Sequence, residues 1–293
     1  MSLSKGIFDI EVKGICKRYK IEPVQVINII DKNIIKYPNL IKRITERRAG
    51  EDITRFKEYK IFIKDIKKQI YYTLRQYHKD KNCEINLKTK LGELISTSAP
   101  ADDINRVILE LMSTHVSTQE RIPYYDSFYK KLFDVIEAPN SIIDIGCGLH
   151  PLSYPFEKQK ANLKTYLAID KDPSVINTLK IFAPYVLPIE LIPVCIDINE
   201  ITWTTYITNM DKFDFAFMLK LIPVVFRHSE NLFIKLTEVP ARQIQITGNI
   251  EAMTRKDKIM RREEKILKKF INISGKTVVD SFNNENEFGF IIG

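Results

Sequence analysis

Ser141-Ile142-Ile143-Asp144-Ile145-Gly146-Cys147-Gly148 is the stretch that decides the fold of this chain. A β-branched apolar run ends in an acid and then in two glycines one residue apart, the pattern of a buried strand turning sharply into a loop. Glycine at 146 and 148 removes the Cβ atoms that would hold a ligand away from the backbone. Leu149, His150 and Pro151 follow, where a dinucleotide-binding turn places its third glycine. Strand–Gly-x-Gly turns also close ordinary α/β loops, so the neighbouring segments decide what this one holds.

Downstream of Asn140 the pattern alternates strand and helix. Strands are predicted over 141–146, 165–170, 188–197, 214–220 and 243–248, with short helical patterns between most of them. That alternation implies a parallel sheet with helices on both faces. The end of the chain departs from it. A helix over roughly 252–273 precedes an apolar run at 276–282, a polar turn Asn283-Asn284-Glu285-Asn286 and a second run at 288–292. A terminal antiparallel hairpin on a parallel sheet marks a class I methyltransferase more than a dehydrogenase, and the Asp-x-Gly-x-Gly turn suits S-adenosylmethionine (SAM) better than NAD.

Upstream, residues 5 to about 80 have helical periodicity. Pro23 opens one segment, with Ile27, Ile30, Ile34 and Ile35 at helical spacing, and Pro38 interrupts it. A longer amphipathic pattern runs from Ile53 to Tyr77, its apolar face drawn from Phe56, Ile61, Ile63, Ile66, Ile70 and Leu74. Polar residues at 79–90 and the Ser/Ala/Pro-containing 96–101 are expected to be connections. Helices return at 103–112 and 125–136. The expected division is a helical domain over 1–112 and a cofactor-binding domain over 113–293.

Charge separates the two parts. The chain of 293 residues has a formal net charge of +8, yet residues 1–100 hold 22 Lys and Arg against 12 Asp and Glu, and the remainder 23 against 25. The whole excess lies in the N-terminal third, where Lys64, Lys67, Lys68 and Arg75 stand among tyrosines and glutamines. Such a surface is suited to phosphate backbones; a solvated helix face is the plainer reading. Arg255, Lys256, Arg261 and Arg262 form a second basic segment, either an RNA contact or an exposed, salt-bridged helix.

Composition excludes several classes. No window of eighteen apolar residues offers a membrane span. Cys16, Cys83, Cys147 and Cys195 are scattered without C-x-x-C spacing, which argues against a zinc site and a disulfide framework. A reduced, cytoplasmic, metal-free monomer is expected.

In an open α/β sheet, ligands bind beyond the carboxyl ends of the strands. Those ends carry Asp144, Gly146 and Gly148, then Asp170, Asp197, and Leu219-Lys220. Asp170 follows Gly148 by 22 residues, close to the spacing at which an acid reaches ribose hydroxyls. Asp197 is placed to accept from an adenine amino group. The same acids would also serve as helix N-caps. Arg121 precedes the helix leading into the first strand, and its guanidinium is the natural partner of a carboxylate; by position alone it is a helix-start residue.

Three motifs in order resemble the aminoglycoside-resistance 16S rRNA methyltransferases, the Arm or FmrO family. They are Ser117-Thr118-x-Glu120-Arg121, then Asp144-x-Gly146-Cys147-Gly148-x-x-Pro151-Leu152, then Met218-Leu219-Lys220-Leu221-Ile222-Pro223. The similarity spans about 113–293, and His150 stands where the family more commonly carries Asn. The resemblance implies methyl transfer from SAM to guanine N7 in the decoding site of 16S rRNA (the position-1405 type), with the 30S subunit as substrate and the N-terminal helices as its dock. It implies Arg121 at the methionine carboxylate, Asp170 at the ribose and Asp197 at the adenine. N7 carries no proton, so no catalytic base is assigned. The competing expectations are methylation of another RNA position or of tRNA, and a small-molecule methyltransferase whose N-terminal helices form a lid.

Overall fold

The computed structural model describes residues 7–19, 21–48, 51–74, 81–206, 212–251, 259–284 and 286–293. The chain forms two compact units. The first holds α1 (Asp9–Tyr19), α2 (Pro23–Ile34), α3 (Pro38–Glu46) and α4 (Lys57–Leu74). Pro23 and Pro38 open α2 and α3, because the first turn of a helix does not need the missing N–H. Phe8, Ile15, Ile30, Leu40, Phe62 and Ile66 make a small core among them. The Phe8 and Tyr59 rings stack at 5.6 Å, and Tyr37 donates to Asp65 at 2.7 Å. Ile61 departs from expectation: it is exposed, and Tyr59 and Phe62 occupy the buried face of α4 instead. Residues 53–55 form a separate 3-10 turn capped by Asp52, so α4 begins later than the periodicity predicts.

The second unit opens with α5 (Lys81–Ser96), α6 (Ala101–Thr114), the short α7 (Val116–Gln119) and α8 (Tyr125–Val135). It continues with β1 (Ser141–Ile145), α9 (Phe156–Gln159), β2 (Thr165–Asp170), α10 (Pro173–Phe182), β3 (Glu190–Cys195) and β4 (Phe213–Met218). The last elements are α11 (Ile222–Phe226), α12 (Glu230–Thr237), β5 (Ala241–Asn249), α13 (Met260–Ser274), β6 (Val278–Asn283) and β7 (Glu287–Ile292). The seven strands run in the order β3-β2-β1-β4-β5-β7-β6, with β7 antiparallel to both neighbours. The expected parallel sheet with a terminal antiparallel hairpin is therefore present. β1 is buried along its whole length, in keeping with a central strand covered on both faces. Residues of α5, α6, α8 and α10 pack on one face, and residues of α11, α12 and α13 on the other.

Two further expectations need correction. Residues 79–90 were expected to connect, yet α5 is a helix from Lys81. Its buried positions are Glu84, Leu87, Lys88 and Leu91; two charged residues on the inward face hide the apolar stripe that would announce a helix. The expected boundary at 112/113 also moves, because α5 and α6 bury Leu87, Leu91, Ile104, Val107 and Leu111 in the core of the sheet-bearing unit.

Candidate cofactor site at the strand ends

The glycine turn begins where β1 ends. Gly146 and Gly148 have φ of +66° and +51°, a region that L side chains enter only at a cost of about 1–2 kcal/mol. Space is closed as well: a Cβ on Gly146 would lie 3.0 Å from Leu221 Cδ1, and one on Gly148 3.2 Å from His115 Cε1. The N–H groups of Gly146 and Cys147 both donate to Ile169 O, at 2.8 and 3.0 Å, binding the turn to the end of β2.

Asp170 closes the turn from the other side. Its Oδ2 accepts from Gly148 N at 2.9 Å and its Oδ1 from Asp172 N at 2.9 Å. Burial pushes its pKa above the ordinary carboxylate value, against those two hydrogen bonds. Each carboxylate oxygen keeps accepting capacity, so hydroxyl donors would meet a desolvated acceptor already fixed in orientation. Asp172, not Asp170, caps α10, through Ser174 N at 2.8 Å. Asp197 is a cap: its Oδ1 accepts from Asn199 N at 2.9 Å and Asn199 Nδ2 at 2.7 Å. Those bonds hold Asp197 below the ordinary range.

Asp144 was expected among the cofactor contacts, but the structure turns it inward. Its carboxylate is 1% exposed, and Oδ2 accepts from Tyr166 at 2.8 Å and lies 2.8 Å from His150 Nδ1. His150 Nε2 meets the Tyr129 hydroxyl at 2.9 Å, and that hydroxyl meets Ser153 Oγ at 2.9 Å. Asp144 therefore anchors the residues after the glycine turn rather than facing a ligand.

Arg121 also acquires a partner from within the chain. Its Nε and Nη2 donate to Glu287 Oε2 and Oε1 at 2.6 and 2.8 Å, a bidentate pair with side chains 7% and 1% exposed. Burial disfavours the Glu287 carboxylate, but Arg121 outweighs it and holds the pKa near about 2. Thr247 Oγ1 donates to Glu287 Oε1 and accepts from Lys220 N at 2.8 Å. Lys220 has φ +59°, a left-handed conformation unusual for a residue with a side chain, and its Nζ pairs with Glu120 Oε2 at 2.7 Å. Leu219 sits half-buried in the same turn. The strand-end turn after β4 is thus tied to residues 120–121 and to β7 by one hydrogen-bonded network.

The sequence motifs omitted Glu287, Thr247 and Tyr166. Glu287 carried one signal, a single acid opening the apolar run Phe288-Gly289-Phe290-Ile291-Ile292; a charge there needs a buried partner.

In the helical unit, Lys64 and Lys68 are exposed on α4, in line with exposed Lys57 and Lys60. Lys67 is half-buried, and its Nζ pairs with Glu11 at 2.7 Å, joining α4 to α1. Arg261 and Arg262 are exposed on the first turn of α13. Arg75, Arg255 and Lys256 lie outside the described residues. Among the described residues, no three His, Cys, Asp or Glu side chains cluster as a metal site, and no helix is long and apolar enough to cross a membrane.

Comparison with known proteins places this geometry in a family. A 16S rRNA (guanine(1405)-N(7))-methyltransferase of Proteus mirabilis is 29% identical over 155 residues, covering 49% of this chain and 52% of the relative. One from Micromonospora echinospora is 34% identical over 93 residues, covering 31% of this chain and 34% of the relative. The chain thus spans about half, or less, of the length of these curated relatives. The 16S rRNA methyltransferase RmtF, solved in complex with S-adenosyl-L-homocysteine, shares the fold at TM-score 0.57, with 14% identity over 98% of each chain. The 16S rRNA methylase RmtB does so at TM-score 0.55, with 13% identity over 97% of each. The ribosomal RNA methyltransferase (FmrO) family model matches residues 37–278, most of the sequence and all three sequence motifs, and the chain belongs to that family.

Proposed function

We propose that this protein transfers the methyl group of SAM to N7 of the guanine at position 1405 of 16S rRNA, within the 30S subunit. The observation that carries the reading is the closed turn in which Gly148 N–H donates to Asp170, in a chain of the rRNA methyltransferase family. Two glycines at positive φ turn the backbone sharply where Leu221 and His115 leave no room for a Cβ, and a buried acid stands beside that turn; these suit a nucleoside-bearing methyl donor.

In this reading Asp170 accepts from the ribose hydroxyls, and Gly146 and Gly148 shape the turn beside which the donor lies. Asp197 takes the adenine amino group through the carboxylate oxygen that the Asn199 turn leaves over. Arg121 meets the methionine carboxylate with the guanidinium edge turned away from Glu287, its orientation fixed by that pair. The Leu219-Lys220 turn lines the pocket beside the transferred methyl. When bound, SAM supplies an electrophilic methyl on a sulfonium whose positive charge passes to the base on transfer. Guanine N7 needs no deprotonation, so positioning and exclusion of water supply the catalysis. The acids around the turn suit that requirement: Asp144 is committed to His150 and Tyr166, Glu120 to Lys220, and Glu287 to Arg121. The exposed lysines of α4 and the exposed arginines of α13 would track rRNA phosphates. We infer a cytoplasmic protein that acts as a monomer.

The test is transfer of labelled methyl from SAM to isolated 30S subunits, naked 16S rRNA and bulk tRNA, followed by nucleoside mass spectrometry. N7-methylguanosine formed only with 30S supports the proposal. Label in tRNA or in another nucleoside overturns the target and keeps the enzyme class; no label in any RNA overturns the RNA substrate.

A further inference from the structure

We propose that Lys88, on α5, is a positioning residue for the ribose-binding acid Asp170; the proposal rests on the cofactor reading above. Lys88 lies outside the strand-end motifs and is 8% exposed. Its Nζ is 2.5 Å from Glu84 Oε1, 2.6 Å from Ser174 Oγ and 3.0 Å from Ser174 O. An ammonium has three hydrogens, and all three are spent here. Ser174 Oγ accepts from Lys88 and donates to Glu84 Oε1 at 3.0 Å, closing a triangle in which the charges cancel.

From that triangle an unbroken line of hydrogen bonds runs to the glycine turn. Ser174 N donates to Asp172 Oδ1, Asp172 N donates to Asp170 Oδ1, and Asp170 Oδ2 accepts from Gly148 N, at 2.8, 2.9 and 2.9 Å. The loop bearing Asp170 is therefore gripped from two directions, by the glycine turn at one end and by α5 at the other. A buried ion pair is weak as a source of stability, since apolar residues of equal volume often do as well. What the pair adds is direction: Lys88 fixes both the hydroxyl and the carbonyl of one residue, and with them the start of α10. Without it, Asp170 keeps its chemistry and loses its registration against the ribose.

The experiment is a double-substitution cycle read by calorimetric titration of the purified full-length protein with S-adenosylhomocysteine. Lys88→Met is expected to weaken binding about tenfold, the lower end of what removing a supporting hydrogen-bond partner costs. In an Asp170→Asn background the same substitution is expected to change binding less than twofold, because the group it positions has already been altered. Steady-state methylation of 30S with Lys88→Met should show KM for SAM rising by more than kcat falls. Glu84→Gln/Lys88→Met removes the stranded carboxylate and serves if the single variant does not fold; the same weakening is expected. Unchanged binding in the folded variants overturns the proposal, as does an equal loss with and without Asp170. Wild-type protein that binds no S-adenosylhomocysteine overturns the cofactor reading and this proposal with it.

Discussion

Replacing Glu287 with alanine strands the Arg121 guanidinium in a pocket where its side chain is 7% exposed. Breaking one side of a buried pair costs about 3–5 kcal/mol, because the remaining buried charge has lost its counter-charge. At about 2–4 °C per kcal/mol for a unit of this size, the melting temperature should fall by roughly 6–20 °C. Lys220 N also loses the fixed acceptor that Thr247 presents, which makes the upper half of that range the expected one. The pair itself is worth far less than its breakage, so Arg121→Met/Glu287→Leu should recover most of the loss. Acid dependence follows from the same geometry. Arg121 holds the Glu287 carboxyl near about 2 against an ordinary 4.5. A depressed carboxyl contributes stability that is fully present above the ordinary value and is lost as pH falls toward the depressed one. The stability difference between wild type and the double variant should therefore shrink between about pH 4.5 and 2 and stay level above it. Urea unfolding of the three proteins across that range is the assay. A double variant no more stable than Glu287→Ala would refute the reasoning, since the stranded charge would then not be the origin of the loss.

Other substitutions test other parts of the site. Gly148→Ala combines a φ of +51° with a Cβ 3.2 Å from His115; it should cost about 1–2 kcal/mol in unfolding and weaken S-adenosylhomocysteine binding in calorimetry. Asp170 has a raised pKa from burial, so cofactor affinity should decline as pH falls toward that value, and Asp170→Asn should bind weakly with little pH dependence. His150→Ala leaves Asp144 with Tyr166 as its hydroxyl partner and should cost about 1–3 kcal/mol in chemical denaturation. Lys57→Ala/Lys60→Ala/Lys64→Ala removes three exposed charges from α4. It should weaken 30S binding at low salt and reduce the slope of log affinity against log salt by about 2–3, leaving S-adenosylhomocysteine binding unchanged.

The glycine turn was legible because its cause is local. Positive φ at residues 146 and 148 calls for glycine, and a β-branched run ahead of it calls for a strand, whatever surrounds them. The alternation after Asn140 and the terminal hairpin were legible for the same reason, as was the basic bias of the first hundred residues. Tertiary structure decided what each side chain faces. Asp144 and Asp170 both stand at strand ends after similar apolar runs, yet one is claimed by Tyr166 and His150 and the other keeps accepting capacity at the rim. Nothing adjacent to Arg121 announces Glu287, 166 residues away. The helix α5 is masked in the sequence because its inward face carries Glu84 and Lys88, whose burial is affordable only with Ser174 packed against them. Backbone conformation answers to neighbours along the chain; the pairing of buried charges answers to neighbours in space, and those exist only once the sheet has formed.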